Sequence, residues 1–417
     1  MQTGQRAGAV GASSSNAKDR TIRVSEEDLV HRLAIRAAGL FDGQEFLAGP
    51  VLVMSENGSI VDIDCSGAHP PEHADMLDLR DLTLLPGLVD AHTHLSWEPQ
   101  GNPEELLFED GERLLARARL HAGQALSAGI TTLRDLGSRG FDLAGLREDY
   151  RRGRVVGPEL LISGPPITRS KGHGWFLGGV ADSLDQVIAA VAERARRGVD
   201  WVKVMATGGF TTQGSDPARP NYDLETMRAL VRSAHARGLP VTAHAHATSG
   251  IADLVEAGVD GIEHCTFYTS RGAVLDATLV EAMAEQGIRA GITLARPQGV
   301  PEPWIQDILD RVVPHAGELM RAGVRVALCT DAGINPARPH DVLPADLVYA
   351  ADRGLSGRQV LAAATSVAAE VCGVGHRKGR IAPGYDADLI AVSGNPLHDI
   401  RAILEVRAVV RAGLLVR

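Results

Sequence analysis

The 417-residue chain is notable first for what it lacks, and each absence closes off a class of function. It has no apolar run approaching the roughly 20 residues of a membrane-spanning helix, since its longest apolar stretches are strand-sized. No membrane partner is expected. Cys65, Cys265, Cys329 and Cys372 stand far apart with no CxxC pair, which argues against a disulfide framework and a thiolate zinc site. A reducing, cytoplasmic location follows as the default. There is no basic excess either: 42 Lys and Arg against 52 Asp and Glu leave −10, so no nucleic-acid footprint is expected. Neither GxxxxGK[ST] nor GxGxxG follows a strand pattern, so Thr207-Gly208-Gly209 is not read as a phosphate cradle. Solenoid repeats are missing too. Residues 1–20 are rich in Gly, Ala, Ser and Gln without the apolar core of a secretion signal, and 1–30 are expected to be a disordered lead-in.

What is present is globular: 44% of residues are hydrophobic and 23% charged. From about residue 84, short Val/Ile/Leu-rich runs alternate with stretches of helical period, the pattern of a parallel sheet with helical crossovers. The strand candidates cover 82–92, 130–135, 159–164, 200–206, 239–244, 260–265, 288–293 and 324–331. Eight strands close a barrel, so an α/β fold with a (β/α)8 TIM barrel over 84–375 is predicted. Helices are predicted over 105–129, 182–198, 223–238 and 356–373, several ending in Gly and two starting at a capping Ser or Asp. The flanks, 31–83 and 376–417, hold short extended runs with hairpin signals at Asp42-Gly43 and Asn57-Gly58. Neither closes alone, so the two termini are expected to form one small composite β-sandwich domain.

The strongest local signal is Asp90-Ala91-His92-Thr93-His94 at the end of the first barrel strand. Side chains alternate along extended chain, so His92 and His94 share one face about 7 Å apart and can converge on one ion. Other strand ends deliver matching groups: Lys203, His244, His264 and Asp331. A lone strand His is ordinarily a satisfied core group and a lone Lys a salt-bridged one. Five strands sending N or O ligands to one barrel mouth is hard to obtain by chance, and barrel active sites lie at that mouth. Imidazoles with a carboxylate suit zinc and its first-row neighbours. An ammonium does not, but a desolvated Lys203 that adds carbon dioxide becomes a carbamate able to bridge two cations about 3.5–4 Å apart.

Taken together, PGLVDAHTHL, WVKVMATGG, VTAHAHA, GIEHC, LCTDAG and GRIAPGYDADLIAVSGNPL resemble the metal-dependent amidohydrolase superfamily, in the branch of imidazolonepropionase and the prolidase-like Xaa-Pro dipeptidases. The resemblance spans nearly the whole chain after residue 30. It implies two divalent metals, zinc first, held by His92, His94, a carboxylated Lys203, His244, His264 and Asp331. It further implies hydrolysis of an amide-type C–N bond by hydroxide between the metals, with Asp331 as catalytic proton carrier. His244 is assigned to metal because it completes the apolar strand, and His246, two residues on, to a neighbouring or substrate contact. His173 on a Gly-flanked loop, Arg169 with Lys171 beside it, and Tyr222 are candidate substrate contacts. Arg134-Asp135 reads as an internal ion pair.

The expected substrate is a dipeptide, an N-acyl amino acid or a related small amide or carbamate, with a cyclic imidazolone as the alternative. A one-metal deaminase is disfavoured, because it needs a proton-shuttling Glu after the fifth-strand His where this chain has Ala-His-Ala-Thr. A metal-free binding scaffold is disfavoured because none of the six ligand positions is missing, and buried unpaired charge is costly. Partners are restricted to a small molecule and further copies of the chain.

Overall fold

The computed structural model of the protein describes residues 31–417 apart from 67–69, 71–73, 99–102, 295, 297–302 and 337. The lead-in expected over 1–30 lies outside the described residues. The chain opens with four strands, β1 (Arg32–Phe41), β2 (Phe46–Glu56), β3 (Ser59–Asp64) and β4 (Asp75–Pro86). Next come β5 (Leu88–Thr93), β6 (Ile130–Asp135), β7 (Glu159–Ile162), β8 (Val202–Met205), β9 (Val241–Ala247), β10 (Gly261–Thr269), β11 (Gly272–Ala273), β12 (Arg289–Thr293) and β13 (Val326–Cys329). The last three are β14 (Leu389–Ser393), β15 (Val406–Arg411) and β16 (Leu414–Leu415).

The two termini do share one layer, a seven-stranded sheet ordered β16-β15-β14-β4-β1-β2-β3. Its hairpin between β2 and β3 turns at Asn57-Gly58, both at positive φ (49° and 83°), as that dipeptide favours. The middle of the chain is mixed α/β with parallel strands. β5-β6-β7 form one sheet, and β13-β12-β10-β9-β8 another, with β11 folded back on β10. Parallel bridges Ile167–Val204 and Thr93–Ala332 join the two sheets at both ends.

The run 82–92, read as one strand, is two. The chain passes from the terminal sheet to the parallel one at Gly87, whose N–H donates to Asp388 O at 2.8 Å. A Cβ there would lie 2.1 Å from Thr131 Oγ1, so only glycine lets the two layers approach.

The helices predicted over 182–198 and 223–238 form in place, whereas the one read over 105–129 starts only at Gly111, capped by Asp110, after a short 3-10 turn at Pro103–Leu107. Ser183 and Asp223 cap Leu184–Arg196 and Leu224–His235 through their side chains, Ser183 in a reciprocal capping box with Gln186. The single helix read over 356–373 is instead Gly357–Ala363 and Ser366–Val371, parted at Thr365, whose φ and ψ (−132°, −97°) are not helical. The main core is apolar strand and helix surface: Val202, Val204, Val241, Ala243, Ile262, Ala290 and Leu328 are all at or below 2% exposure. No helix among the described residues is long and apolar enough to cross a membrane.

Candidate metal centre

The carboxyl ends of the parallel strands bring six predicted side chains together. His92 and His94 lie at the end of β5, Lys203 in β8, His244 in β9, His264 in β10, and Asp331 just past β13. Asp331 Oδ1 is 3.1 Å from His94 Nε2 and 3.5 Å from His92 Nε2, and Lys203 Nζ is 3.5 Å from that same nitrogen. His264 completes the cluster, its ring centroid 5.1 Å from that of His92 and 4.5 Å from that of His244. Ligand atoms of His92, His94 and Asp331 lie within 4.8 Å of one another, and so do those of His244, His246 and His264. His264 and Asp331 both hold positive φ (66° and 55°), a conformation costly for non-glycine residues and found where function over-determines the backbone.

Each histidine has one ring nitrogen committed to a fixed neighbour. His92 Nδ1 faces Glu263 Oε2 at 3.0 Å, His94 Nδ1 faces Gly137 O at 2.9 Å, His244 Nε2 faces Gly208 O at 3.1 Å, and His264 Nδ1 faces Thr293 Oγ1 at 2.8 Å. Carbonyl and carboxylate oxygens only accept, so the committed nitrogen of His92, His94 and His244 carries the hydrogen and the other keeps its lone pair. Metal-binding histidines are oriented in this way. At Gly137 the fit is tight: a Cβ would stand 2.9 Å from the His94 ring.

Burial sets the charges. It pushes His92 down to about 4, His246 to about 3, and His244 and His264 well below the usual imidazole value, so these rings are neutral near pH 7. Burial also pulls the Lys203 amine down to about 8. Among the described residues Lys203 makes no ion pair, so its amine is within reach of deprotonation and carbamate formation. Burial opposes ionisation of Asp331, but its close contacts with His92 and His94 and the Arg338 guanidinium outweigh it and hold the carboxyl below the ordinary range. Neutral imidazoles, a carboxylate and a deprotonatable lysine are donors that fit divalent zinc or its first-row neighbours.

A cavity of about 600 Å³ opens onto the cluster and is lined in addition by His173, His246, Phe210 and Arg338. His246 is as well placed as His244: its Nδ1 bonds Thr266 Oγ1 at 3.0 Å and its ring is 4.8 Å from that of His264. His173 does reach the site, 4.4 Å from the His244 ring with Nδ1 on Thr212 Oγ1 at 2.9 Å. Burial pushes it down to about 4, so it is neutral near pH 7.

Two predicted contacts are not brought here. Tyr222 lies in the core with its hydroxyl donating to Ala181 O at 2.8 Å, and Arg169 is exposed beside Asp182, donating to Asn221 O at 3.4 Å. Lys171 is exposed. Arg134 does not pair with Asp135. Its Nη2 donates to Glu263 Oε1 at 2.7 Å, while Asp135 accepts from the Leu95 and Gly137 amides at 2.8 and 3.2 Å.

Three residues escaped the sequence reading. Glu263, fully buried, backs His92; its signal was an acid inside the apolar strand GIEHC. Arg338 donates through Nη1 to Asp331 Oδ2 at 2.9 Å and Thr330 O at 3.2 Å. Asp90 accepts from Thr330 Oγ1 at 2.6 Å and from the His92 amide at 3.3 Å, tying β5 to the segment before Asp331.

The sequence itself matches a known family. The model of the amidohydrolase family matches residues 83–416. The chain belongs to that family. It is therefore an enzyme of amide-bond hydrolysis. Among relatives of this amidohydrolase, ochratoxinase of Aspergillus niger is 29% identical over 366 residues, covering 78% of this chain and 73% of its own. Imidazolonepropionase of Salinispora arenicola is 26% identical over 392 residues, covering 87% and 90%. Of solved structures, a Xaa-Pro dipeptidase with methionine bound in its active site superposes with a TM-score of 0.81 at 28% identity, covering 92% of this chain and 99% of its own.

Proposed function

We propose that this amidohydrolase cleaves the C–N bond of a dipeptide or N-acyl amino acid, using two divalent cations held by His92, His94, Lys203 as its carbamate, His244, His264 and Asp331. The observation that carries this reading is the committed ring nitrogen of His92, His94 and His244, which leaves the opposite nitrogen to a ligand. When bound, such cations supply a water of lowered pKa and polarise the scissile carbonyl.

The protein's own part follows from its contacts. Arg338 holds Asp331 Oδ2, which frees Oδ1, among His92 and His94, to take the proton of the attacking water and pass it to the leaving nitrogen. His173, neutral and fixed by Thr212, is suited to donate to the carbonyl oxygen of the substrate or accept from its amide. Arg296 and Arg338 line the same cavity, paired with Asp346 and Asp331 at 2.9 Å each, and are the guanidinium groups within reach of a substrate carboxylate. The relatives support the bond type: ochratoxinase and the Xaa-Pro dipeptidase structure stand at 29% and 28% identity. We further read the eight parallel strands as a closed (β/α)8 barrel, supported by the bridges at both sheet ends, with the terminal strands as a separate β-sandwich domain. Four free thiols, Cys65 among them exposed, support a reducing cytoplasmic setting.

The test is to load the purified protein with zinc and assay amino-acid release from a library of dipeptides and N-acyl amino acids, with imidazolones and aminated heterocycles alongside. Release of amino acids is expected. Turnover confined to the heterocycles would overturn the reading.

A further inference from the structure

The helix Pro303–Arg321 turns two different apolar faces to its surroundings. Val313, Ala316 and Leu319 in its second half are fully buried in the main core, the ordinary fate of an amphipathic helix. Ile305, Ile308, Leu309 and Val312, spaced i, i+3, i+4 and i+7, line the cavity over the metal candidates as one stripe; Ile308 is also buried and Val312 also packs against the main core, whereas Ile305 and Leu309 are half-buried at the cavity. Phe210, 37% exposed on the loop after β8, and Met205 at the end of β8 line the same space. Phe210 is held in place edge-on to Tyr268 (5.7 Å) and against His246 (4.6 Å).

Ile308 and Val312 have the core to cover them, but Ile305 and Leu309 are not needed for the core face of the helix. Apolar side chains facing a solvent-connected cavity are disfavoured unless a ligand covers them. The cluster of imidazoles, Lys203 and Asp331 accounts for the amide and its polar neighbours but gives the stripe no work. We infer that the cavity selects amides whose amino-acid portion carries a large apolar side chain, received between the stripe Ile305–Ile308–Leu309–Val312 and Phe210. This rests on the proposed hydrolysis and narrows it to a substrate class. The remaining polar lining fixes the backbone of such a substrate, and the stripe ranks its side chain by the apolar surface each choice covers.

The experiment uses the full chain loaded with zinc and four substrates: N-acetyl-L-phenylalanine, N-acetyl-L-leucine, N-acetyl-L-alanine and N-acetyl-L-aspartate. The expected kcat/KM for phenylalanine and leucine exceeds that for alanine by about tenfold or more, with aspartate lowest. Leu309→Ser and, independently, Phe210→Ser should each shrink the phenylalanine-to-alanine ratio several-fold, mainly through KM. Either variant suffices should the other fail to fold. Calorimetric binding of the free amino acids gives a second readout, with L-phenylalanine binding more tightly than L-alanine. Hydrolysis with alanine equal to or above phenylalanine would overturn the inference while leaving the hydrolase reading intact. Absence of any hydrolysis together with preferential phenylalanine binding would count against the hydrolase reading and for the apolar subsite. Equal binding of the two amino acids would count against the subsite.

Discussion

Glu263 Oε2 stands 3.0 Å from His92 Nδ1, and both residues are 1% exposed. The other carboxylate oxygen of Glu263 accepts from Arg134 Nη2 at 2.7 Å and Thr242 Oγ1 at 2.6 Å. Burial opposes its ionisation, but Arg134 and the His92 hydrogen bond win and lower it to about 2. A fixed anion therefore backs one imidazole of the candidate centre and sets which of its nitrogens faces the ligand.

Replacing that anion with an amide of the same shape should weaken metal retention without unfolding the protein. For Glu263→Gln the expected loss is about 10–100-fold in zinc affinity, read by competition with a chelator. Glu263→Ala should be worse for folding, since it leaves the Arg134 charge buried and unpaired, costing about 3–5 kcal/mol in denaturant unfolding. Unchanged zinc affinity in both variants would remove Glu263 from the site.

Lys203→Met keeps the volume and apolar stem but cannot form a carbamate. Metal content should fall from about two ions per chain to one or fewer, and C–N hydrolysis should be lost. Metal-stripped wild type should regain activity faster with zinc plus bicarbonate than with zinc alone. A variant that retains two ions per chain would show that the lysine is not a ligand.

Asp331→Asn preserves shape and the contact with Arg338 in part, while removing the proton acceptor. A fall in kcat of about 10²–10⁴-fold is expected, with KM little changed. Loss confined to KM would assign Asp331 to binding alone.

A separate acid transition should come from the base of the molecule. Lys378 Nζ lies 3.2 Å from Glu159, 2.7 Å from Asp386 and 2.5 Å from Asp388, and Arg377 pairs with Glu159 as well. Burial would raise Glu159, but the Arg377 hydrogen bond and the Lys378 charge outweigh it and lower the group from 4.5 to about 2. A depressed carboxylate contributes its stability above its unfolded value and loses it as pH falls toward the folded one. Stability should therefore drop by on the order of 2 kcal/mol between about pH 4.5 and 2. In Lys378→Met this acid dependence should flatten, as measured by urea midpoints across that range.

The legible part of the fold was the alternation of strand and helix, because side-chain period is a local property that survives without knowledge of partners. Its errors fall where the local pattern is continuous but the layers change. Residues 82–89 are almost continuously apolar, and only the pairing of Pro86 with Leu389 and of Leu88 with Ile130 shows that two sheets meet at Gly87. Arg134 and Asp135 went wrong for a related reason. Neighbours on a strand point to opposite faces, so adjacency in sequence is no argument for an ion pair. Tyr222 and Arg169 sit in loops near the site in sequence, yet one phenol is spent on Ala181 and one guanidinium on Asp182 and Asn221.

By itself, the order of residues determined the candidate ligand types and their placement on or just past the parallel strands: His92, His94, Lys203, His244, His264 and Asp331 are chemistry that periodic apolar runs do not need. Tertiary structure alone decided which groups stand behind them. Glu263 lies 171 residues from His92, Arg134 is 129 from Glu263, and the stripe on Pro303–Arg321 meets Phe210 only across the cavity. Orientation, charge compensation and shape depend on distances through space, and these are fixed by how sheets and helices pack, which no local pattern encodes.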